Sequence, residues 1–217
     1  IAVRTSTNAG VTWGARKDVT TLASGGTAEA AKDPVIALDS SNNLYVAYYS
    51  YEYNSSKYNI ALRTSTNAGV TWGERKDVTA STTRESLNPA IALDSSSNLY
   101  VAYYSKELNA TYYNIAVRTS TNAGVTWGAR KDLTTSTVSD AYNPALAIST
   151  TTNKIYITWH SKEYDATTNN IAVRSASIAA YFSKGRNSKK VEVVYTLANH
   201  VRKPQKAKPG LALVEKE

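Results

Sequence analysis

One nine-residue string, Ser-Thr-Asn-Ala-Gly-Val-Thr-Trp-Gly, occurs three times without a change, at residues 6–14, 65–73 and 120–128. A string repeated in this way within 217 residues marks a structural corner built three times, rather than three active sites. It sits in a longer unit. Ile-Ala-Val-Arg, or Ile-Ala-Leu-Arg, begins at residues 1, 60, 115 and 171, at spacings of 59, 55 and 56. A second block keeps the same frame, with Pro-x-Ile-Ala-Leu-Asp or its variants at 34–39, 89–94 and 144–149, each followed by an aromatic run. A fixed period of this order marks solenoids, propellers or arrays.

Within a unit the apolar period is two. In Leu-Tyr-Val-Ala-Tyr-Tyr at 99–104, Leu99, Val101 and Tyr103 share one face while Tyr100, Ala102 and Tyr104 share the other. β-Branched and aromatic runs broken by Asn, Ser, Gly and Pro read as strands. Four strands fit each unit: the Pro-x-Ile-Ala-Leu run, the aromatic run, the Ile-Ala-Val-Arg run and a last one after the Trp, such as residues 131–135. Four-stranded antiparallel sheets in series are propeller blades. The expectation is an all-β chain over residues 1–174, comprising a partial unit, two full units and the start of a fourth. Residue 1 lies inside a strand and the chain has no Met, which reads as a piece of a longer protein. An incomplete ring also predicts self-association to complete a propeller.

In the repeated string, Asn bonds its own backbone in a tight turn and Gly accepts a positive φ. The pattern Ser-x-Asn-x-Gly-x-Thr-Trp resembles the Asp-box, or BNR repeat, of sialidase-like β-propellers, with Asn8, Asn67 and Asn122 at the Asp position. The resemblance implies a structural hairpin at the outer corner of each blade. Its residues are Ser6, Asn8, Gly10, Thr12 and Trp13; Ser65, Asn67, Gly69, Thr71 and Trp72; and Ser120, Asn122, Gly124, Thr126 and Trp127. The competing reading gives the tryptophans to sugar contacts.

Sialidases of this architecture use a Tyr nucleophile. The resemblance implies that they also need an arginine triad, a Glu that activates the Tyr and an Asp acid/base. Arg4, Arg63, Arg118 and Arg174 all occupy one repeat position, whereas a triad needs different residues converging from different blades. They read as solvated strand-end charges. Tyr48, Tyr49, Tyr103 and Tyr104 read as packing between blades, and Glu52, Glu107 and Glu163 as loop charges. His160 and His200 are isolated in sequence. Without Cys, disulfides, thiol catalysis and zinc–thiolate sites are excluded. No catalytic residue, metal site or cofactor is assigned, and no membrane span is expected. Asn-Ser-Ser at 54–56 and Asn-Ala-Thr at 109–111 match glycosylation sequons, which an Asn- and Ser-rich chain produces by chance.

Beyond Arg174 the repeat stops. Residues 175–217 carry nine basic and three acidic side chains, while residues 1–174 are nearly balanced at sixteen and fourteen. Residues 178–217 resemble the carboxy-terminal part of the NFACT RNA-binding domain of Rqc2-like proteins, through Tyr-Phe-Ser-Lys-Gly-Arg-Asn-Ser-Lys-Lys at 181–190 and Val-Arg-Lys-Pro at 201–204. That family implies association with tRNA and the large ribosomal subunit. Here Lys184, Arg186, Lys189, Lys190, Arg202 and Lys203 become nucleic-acid-binding candidates, since basic groups among aromatics neutralise phosphates and stack bases. The repeat region looks secreted or cell-surface and the tail cytoplasmic, so the two are read as joined in a chimera. Three functions are carried forward. They are a non-catalytic glycan- or protein-binding propeller, a sialidase fragment lacking part of its catalytic set, and RNA binding through the tail.

Overall fold

The computed structural model describes residues 1–20, 31–53, 56–162 and 170–178. All the tail candidates, Lys184, Arg186, Lys189, Lys190, Arg202 and Lys203, lie outside the described residues, as do Asn54, Glu163 and His200.

The described chain forms thirteen strands: β1 (Ala2–Val3), β2 (Lys17–Asp18), β3 (Lys32–Leu38), β4 (Leu44–Ser50), β5 (Asn59–Ser65), β6 (Lys76–Asp77), β7 (Ser86–Leu93), β8 (Leu99–Ser105), β9 (Asn114–Ser120), β10 (Lys131–Asp132), β11 (Ala141–Ser149), β12 (Lys154–Ser161) and β13 (Asn170–Ser177). They pair antiparallel in sequence order, as β1-β2, β3-β4-β5-β6, β7-β8-β9-β10 and β11-β12-β13. The last strand of a full blade is shorter than the sequence suggests, two residues at β6 and β10. Strand β13 continues past Arg174 to Ser177, and Ile178 is buried in the core. The blade therefore runs a few residues beyond the point where the repeat motif stops. Among the described residues no helix is long and apolar enough to cross a membrane.

The sheets pack face to face because alternate residues serve opposite neighbours. From β4, Tyr45, Ala47 and Tyr49 face the following sheet, joining Leu99, Val101 and Tyr103 in one core cluster. Val46 and Tyr48 face the preceding sheet and meet Val19, with Ile1 and Val3 beside them. A third cluster joins Tyr100, Ile115 and Val117 to Ile155, Ile157, Trp159 and Ile178. Each fully buried aliphatic side chain contributes about 1.5–3 kcal/mol. The first strands of neighbouring sheets lie against one another, β3 on β7 and β7 on β11. The sheets thus fan out from a line along which their first strands stand. Ile91 and Leu93 pack on the preceding sheet. Their counterparts Ile36 and Leu38 are 48% and 53% exposed, because the sheet before them has only its β1 and β2 strands.

Candidate functional site

A four-stranded meander puts its first-to-second and third-to-fourth connections at one end. Its second-to-third connection, and the passage to the next blade, lie at the other. The Asp-box hairpins occupy the first end. There Asn67 accepts from the Thr71 amide and the Ser65 hydroxyl, both at 2.9 Å, and donates through Nδ2 to Thr71 Oγ1 at 2.7 Å. Ser65 Oγ also accepts from the Gly69 amide at 2.9 Å. Asn8 and Asn122 repeat this network with Ser6 and Thr12, and with Ser120 and Thr126. Ala68 and Gly69 both have positive φ, 54° and 79°, under a Val70 N–H to Asn67 C=O bond of 3.2 Å, as in a type I′ turn. Trp72 packs against the cluster shared with the preceding sheet, and Trp127 does the same one blade on. Trp13 is 59% exposed. Each complete hairpin therefore clasps the blade before it.

Two sequence expectations about charged residues need correction. Arg63 and Arg118 are half-buried rather than solvated, and Arg63 Nη1 donates to the Gly73 carbonyl at 3.1 Å. Arg174 lies 5.9 Å over the Trp159 ring and donates to the Leu133 carbonyl. Arg4 alone of the four is exposed. Glu52 and Glu107 are not free loop charges. Each is half-buried and pairs at 3.5 Å with an arginine, Arg75 and Arg130 respectively, which also holds Asp77 or Asp132. The physical reason is shared by Arg63, Arg174, Glu52 and Glu107: partial burial makes an unpaired charge costly, so each is paired or hydrogen-bonded.

The opposite end carries a different population. It gathers the starts of the first strands, the ends of the second strands and the loops after them. At the start of each first strand the pairing register breaks, between Lys32 and Val35, between Leu87 and Ala90, and between Tyr142 and Ala145. Inside each bulge a non-glycine residue before proline takes positive φ: Asp33 at 48°, Asn88 at 47° and Asn143 at 50°. A residue before proline prefers extended backbone, so this conformation stores strain on the order of 1–3 kcal/mol per site. In two of these bulges the side chains meet, Asn88 Nδ2 donating to Asn143 Oδ1 at 2.8 Å.

Around this ring stand tyrosines. Tyr104 meets Tyr113 and Tyr142 edge-on, with ring centroids 5.0 Å and 5.2 Å apart. Tyr142 in turn lies 5.6 Å from His160. Tyr49 meets Tyr58 edge-on at 4.9 Å, and Tyr58 stacks on Tyr51 at 3.7 Å. Polar groups thread the cluster. The Tyr104 hydroxyl donates to Asn88 Oδ1 at 3.4 Å, Tyr113 donates to Glu85 at 3.1 Å, and Lys32 donates to the Tyr58 hydroxyl at 3.0 Å. Lys106 sits 4.6 Å over the Tyr113 ring. Burial, reinforced by Asp33, raises the Tyr49 phenol to about 12. Burial with Asp140 does the same for Tyr142. Tyr104 is raised by burial and by Asp33 and Glu85. Tyr58 shifts the other way, lowered first by the hydrogen bond from Lys32 and then by Tyr51.

Tyr49 and Tyr104 pack between blades and also line this cluster, and His160, isolated in sequence, packs against Tyr142. Tyr48 and Tyr103 are fully buried between blades. Tyr104 also reaches the ring, and His160, which takes its place one blade on, lies against Tyr142. Tyr49 and Tyr104 keep the alternation of their own strands; the bulges in the first strands bring polar groups against them, which period counting does not show. The available signal was the residue before proline in the Pro-x-Ile-Ala-Leu block, Asp33, Asn88 or Asn143 in the three copies.

The Tyr113–Glu85 contact is the kind of pair the sialidase resemblance implies. Burial and the Glu85 charge both raise the Tyr113 phenol, keeping it protonated. Among the described residues no arginine forms an ion pair with Asp33, Glu85 or Asp140. Among them, too, no group of three or more His, Asp or Glu side chains is arranged to hold a metal.

Known proteins of similar structure are β-propellers and carbohydrate-active enzymes. A protein of unknown function from Dyadobacter fermentans superimposes with a TM-score of 0.60 at 12% identity, covering 79% of this chain and 47% of that one. The GH93 α-L-arabinofuranosidase of Fusarium graminearum gives 0.58 at 15% identity, covering 81% and 54%. The Hadza microbial sialidase Hz136 gives 0.55 at 12%, covering 69% and 35%. The chain thus spans about half or less of each of these structures, and at such identities they share its fold. A short stretch of 45 residues, 21% of the chain, is 47% identical to Rqc2 homolog RqcH of Bacillus subtilis and covers 8% of that protein. The BNR repeat-like domain model matches residues 1–158. With its Asp-box hairpins and fanned four-stranded sheets, the chain belongs to the BNR repeat-like family of sialidase-like β-propellers.

Proposed function

We propose that this chain is a non-catalytic glycan-binding propeller segment, and that the tyrosine-rich end holds the glycan. One observation carries the reading: the copies of the repeat are identical where they build the scaffold and diverge where they face the ring. The Asp-box string is the same three times, whereas equivalent positions at the other end read Lys32, Leu87 and Tyr142; Asp33, Asn88 and Asn143; and Tyr49, Tyr104 and His160. A scaffold alone would repeat at both ends. An asymmetric ligand lying across several blades needs different contacts from each. Aromatic rings with amide and hydroxyl groups between them suit sugars, which present an apolar face and a rim of hydroxyls.

Two features favour binding over hydrolysis. The Tyr113 phenol is held protonated rather than activated, and of the arginines that recur in the repeat, Arg63 and Arg174 are committed to backbone carbonyls. The test has two arms. A fluorogenic sialoside is expected to show no turnover, and an oligosaccharide array is expected to show binding that falls at least tenfold in a Tyr104→Ala, Tyr142→Ala double variant. Hydrolysis by the wild-type chain would return the sialidase-fragment reading.

A second reading rests on the RqcH-like stretch. The basic tail, through Lys184, Arg186, Lys189, Lys190, Arg202 and Lys203, binds RNA independently of the propeller in a chimeric chain. Its affinity for single-stranded RNA is then expected to fall steeply with salt. No binding at low salt would end this reading.

A further inference from the structure

We propose that Tyr51 and Tyr58 are an oxidative modification site, at which a peroxidase-type one-electron oxidant joins the two rings through a carbon–carbon bond. The pair flanks the connection between β4 and β5, one step beyond Ser50 and Asn59, the last paired residues of the two strands. The rings lie nearly parallel, 22° apart, with centroids at 3.7 Å. That is contact between ring faces, closer than the roughly 4.5–7 Å of ordinary aromatic pairs. Tyr49 meets Tyr58, and Tyr104, Tyr113 and Tyr142 meet one another, edge-on or tilted at 4.9 to 5.6 Å. Tyr51 and Tyr58 are both half-buried, so an oxidant in solution reaches them.

The chemistry follows from that contact. Each phenol gives up one electron and one proton and becomes a phenoxyl radical, whose unpaired electron is shared with the ring carbons beside the C–O bond. Two such carbons bond across the stack. The hydrogen on each then moves to its own oxygen, restoring both phenols. Two electrons and two protons leave in all, and one hydrogen peroxide takes them up to form two waters. Holding the partners in contact makes the coupling step effectively unimolecular. Lys32 assists at Tyr58, donating to its hydroxyl at 3.0 Å and lying 5.2 Å over its ring. That hydrogen bond, and then one from Tyr51, lowers the Tyr58 phenol, and a phenolate yields its electron more readily than a phenol. The chain has sixteen tyrosines and neither Cys nor Met, the side chains that otherwise take up oxidising equivalents.

The repeat supplies its own control. In the next blade the two positions are held by Lys106 and Tyr113, one step beyond Ser105 and Asn114, with the Lys106 ammonium 4.6 Å over the Tyr113 ring. Tyr51→Lys therefore installs a pairing that this fold already accepts. Tyr51→Phe keeps the stacked ring and removes only the phenol.

The experiment treats the full chain, at high dilution, with a haem peroxidase and hydrogen peroxide, while free tyrosine in a parallel sample shows that the oxidant couples phenols. Trypsin cuts after Lys57 and leaves Tyr58 the only tyrosine of residues 58–63, so a bond within the pair joins two peptides that otherwise separate. The expected product is a single chain lighter by two hydrogens, with dityrosine fluorescence and with residues 33–57 joined to 58–63 through Tyr51. Its yield falls about tenfold or more in Tyr51→Phe and in Tyr51→Lys, as loss of a held reaction partner requires. A chain left uncoupled while free tyrosine couples, a bond from Tyr58 to Tyr49 or to a second chain instead, or a yield unchanged in either variant overturns the site.

Discussion

Asn88 donates its side-chain amide to the Asn143 carbonyl oxygen at 2.8 Å, across 55 residues of sequence and between the first strands of two neighbouring blades. Each member lies in a bulge with positive φ before a proline, so the bond joins two strained points. A double-mutant cycle with Asn88→Gly and Asn143→Gly keeps the backbone conformation accessible and removes only the amides. The expected coupling is about 0.5–1.5 kcal/mol in urea unfolding. Zero coupling would mean that the two amides are neighbours without mutual stabilisation.

Gly124 is held by contact as well as by conformation. A Cβ there would lie 2.3 Å from Leu62 Cδ2 of the preceding blade, at a φ of +79°, whereas at Gly10 the nearest atom is 3.9 Å away. Gly124→Ala is expected to destabilise by about 2–4 kcal/mol, combining overpacking with backbone strain. Gly10→Ala costs about 1 kcal/mol from the backbone alone. Equal costs in denaturant unfolding would show that the hairpin does not press on its neighbour.

Asn67 uses its carbonyl oxygen to accept from Ser65 and Thr71, and its amide to donate to the Thr71 hydroxyl. Aspartate keeps the accepting oxygens, and the Thr71 hydroxyl can turn to donate. Asn67→Asp is therefore expected to change stability by less than about 0.5 kcal/mol, while Asn67→Ala loses about 1–2 kcal/mol as turn donors go unpaired. Calorimetry on the two variants separates turn chemistry from charge.

The buried tyrosines predict an alkaline limit. Burial raises Tyr45, Tyr48, Tyr49 and Tyr142 to about 12 from an ordinary value of 10.0. In this range the folded chain binds more protons than the unfolded one, so stability is fully present below pH 10 and falls as pH rises towards 12. Denaturant midpoints are expected to drop across this window, with tyrosinate absorbance appearing together with unfolding. Full tyrosinate absorbance in a folded chain would contradict the burial assigned to these phenols.

Much of this architecture was legible in the repeats. The period-two runs gave three of the four strands of each full blade, and the Asn–Gly–Trp hairpin showed where each sheet turns. The short outer strands β6 and β10 were over-read, because residues such as Leu133 and Thr134 have strand-like character yet lie beyond the paired residues. The axial cluster was less legible. Tyr49 and Tyr104 follow the alternation of their strands, and only the bulges at Asp33 and Asn88 bring polar groups against them. Arg63, Arg118, Glu52 and Glu107 look like surface charges in sequence. The partners of Arg63, Glu52 and Glu107 lie 10 to 23 residues away in the same blade, brought together by the fold of its third and fourth strands, which no local pattern encodes.

The central claim is that the tyrosine-rich end, and not the Asp-box end, binds glycan. Its most direct test is one calorimetric comparison, with a neutral oligosaccharide taken from the array and titrated into the wild type, Tyr104→Ala/Tyr142→Ala and Trp13→Ala. Binding lost in the tyrosine variant and retained in Trp13→Ala is the predicted result. Binding retained in the tyrosine variant and lost in Trp13→Ala would contradict the account and move the site to the Asp-box end.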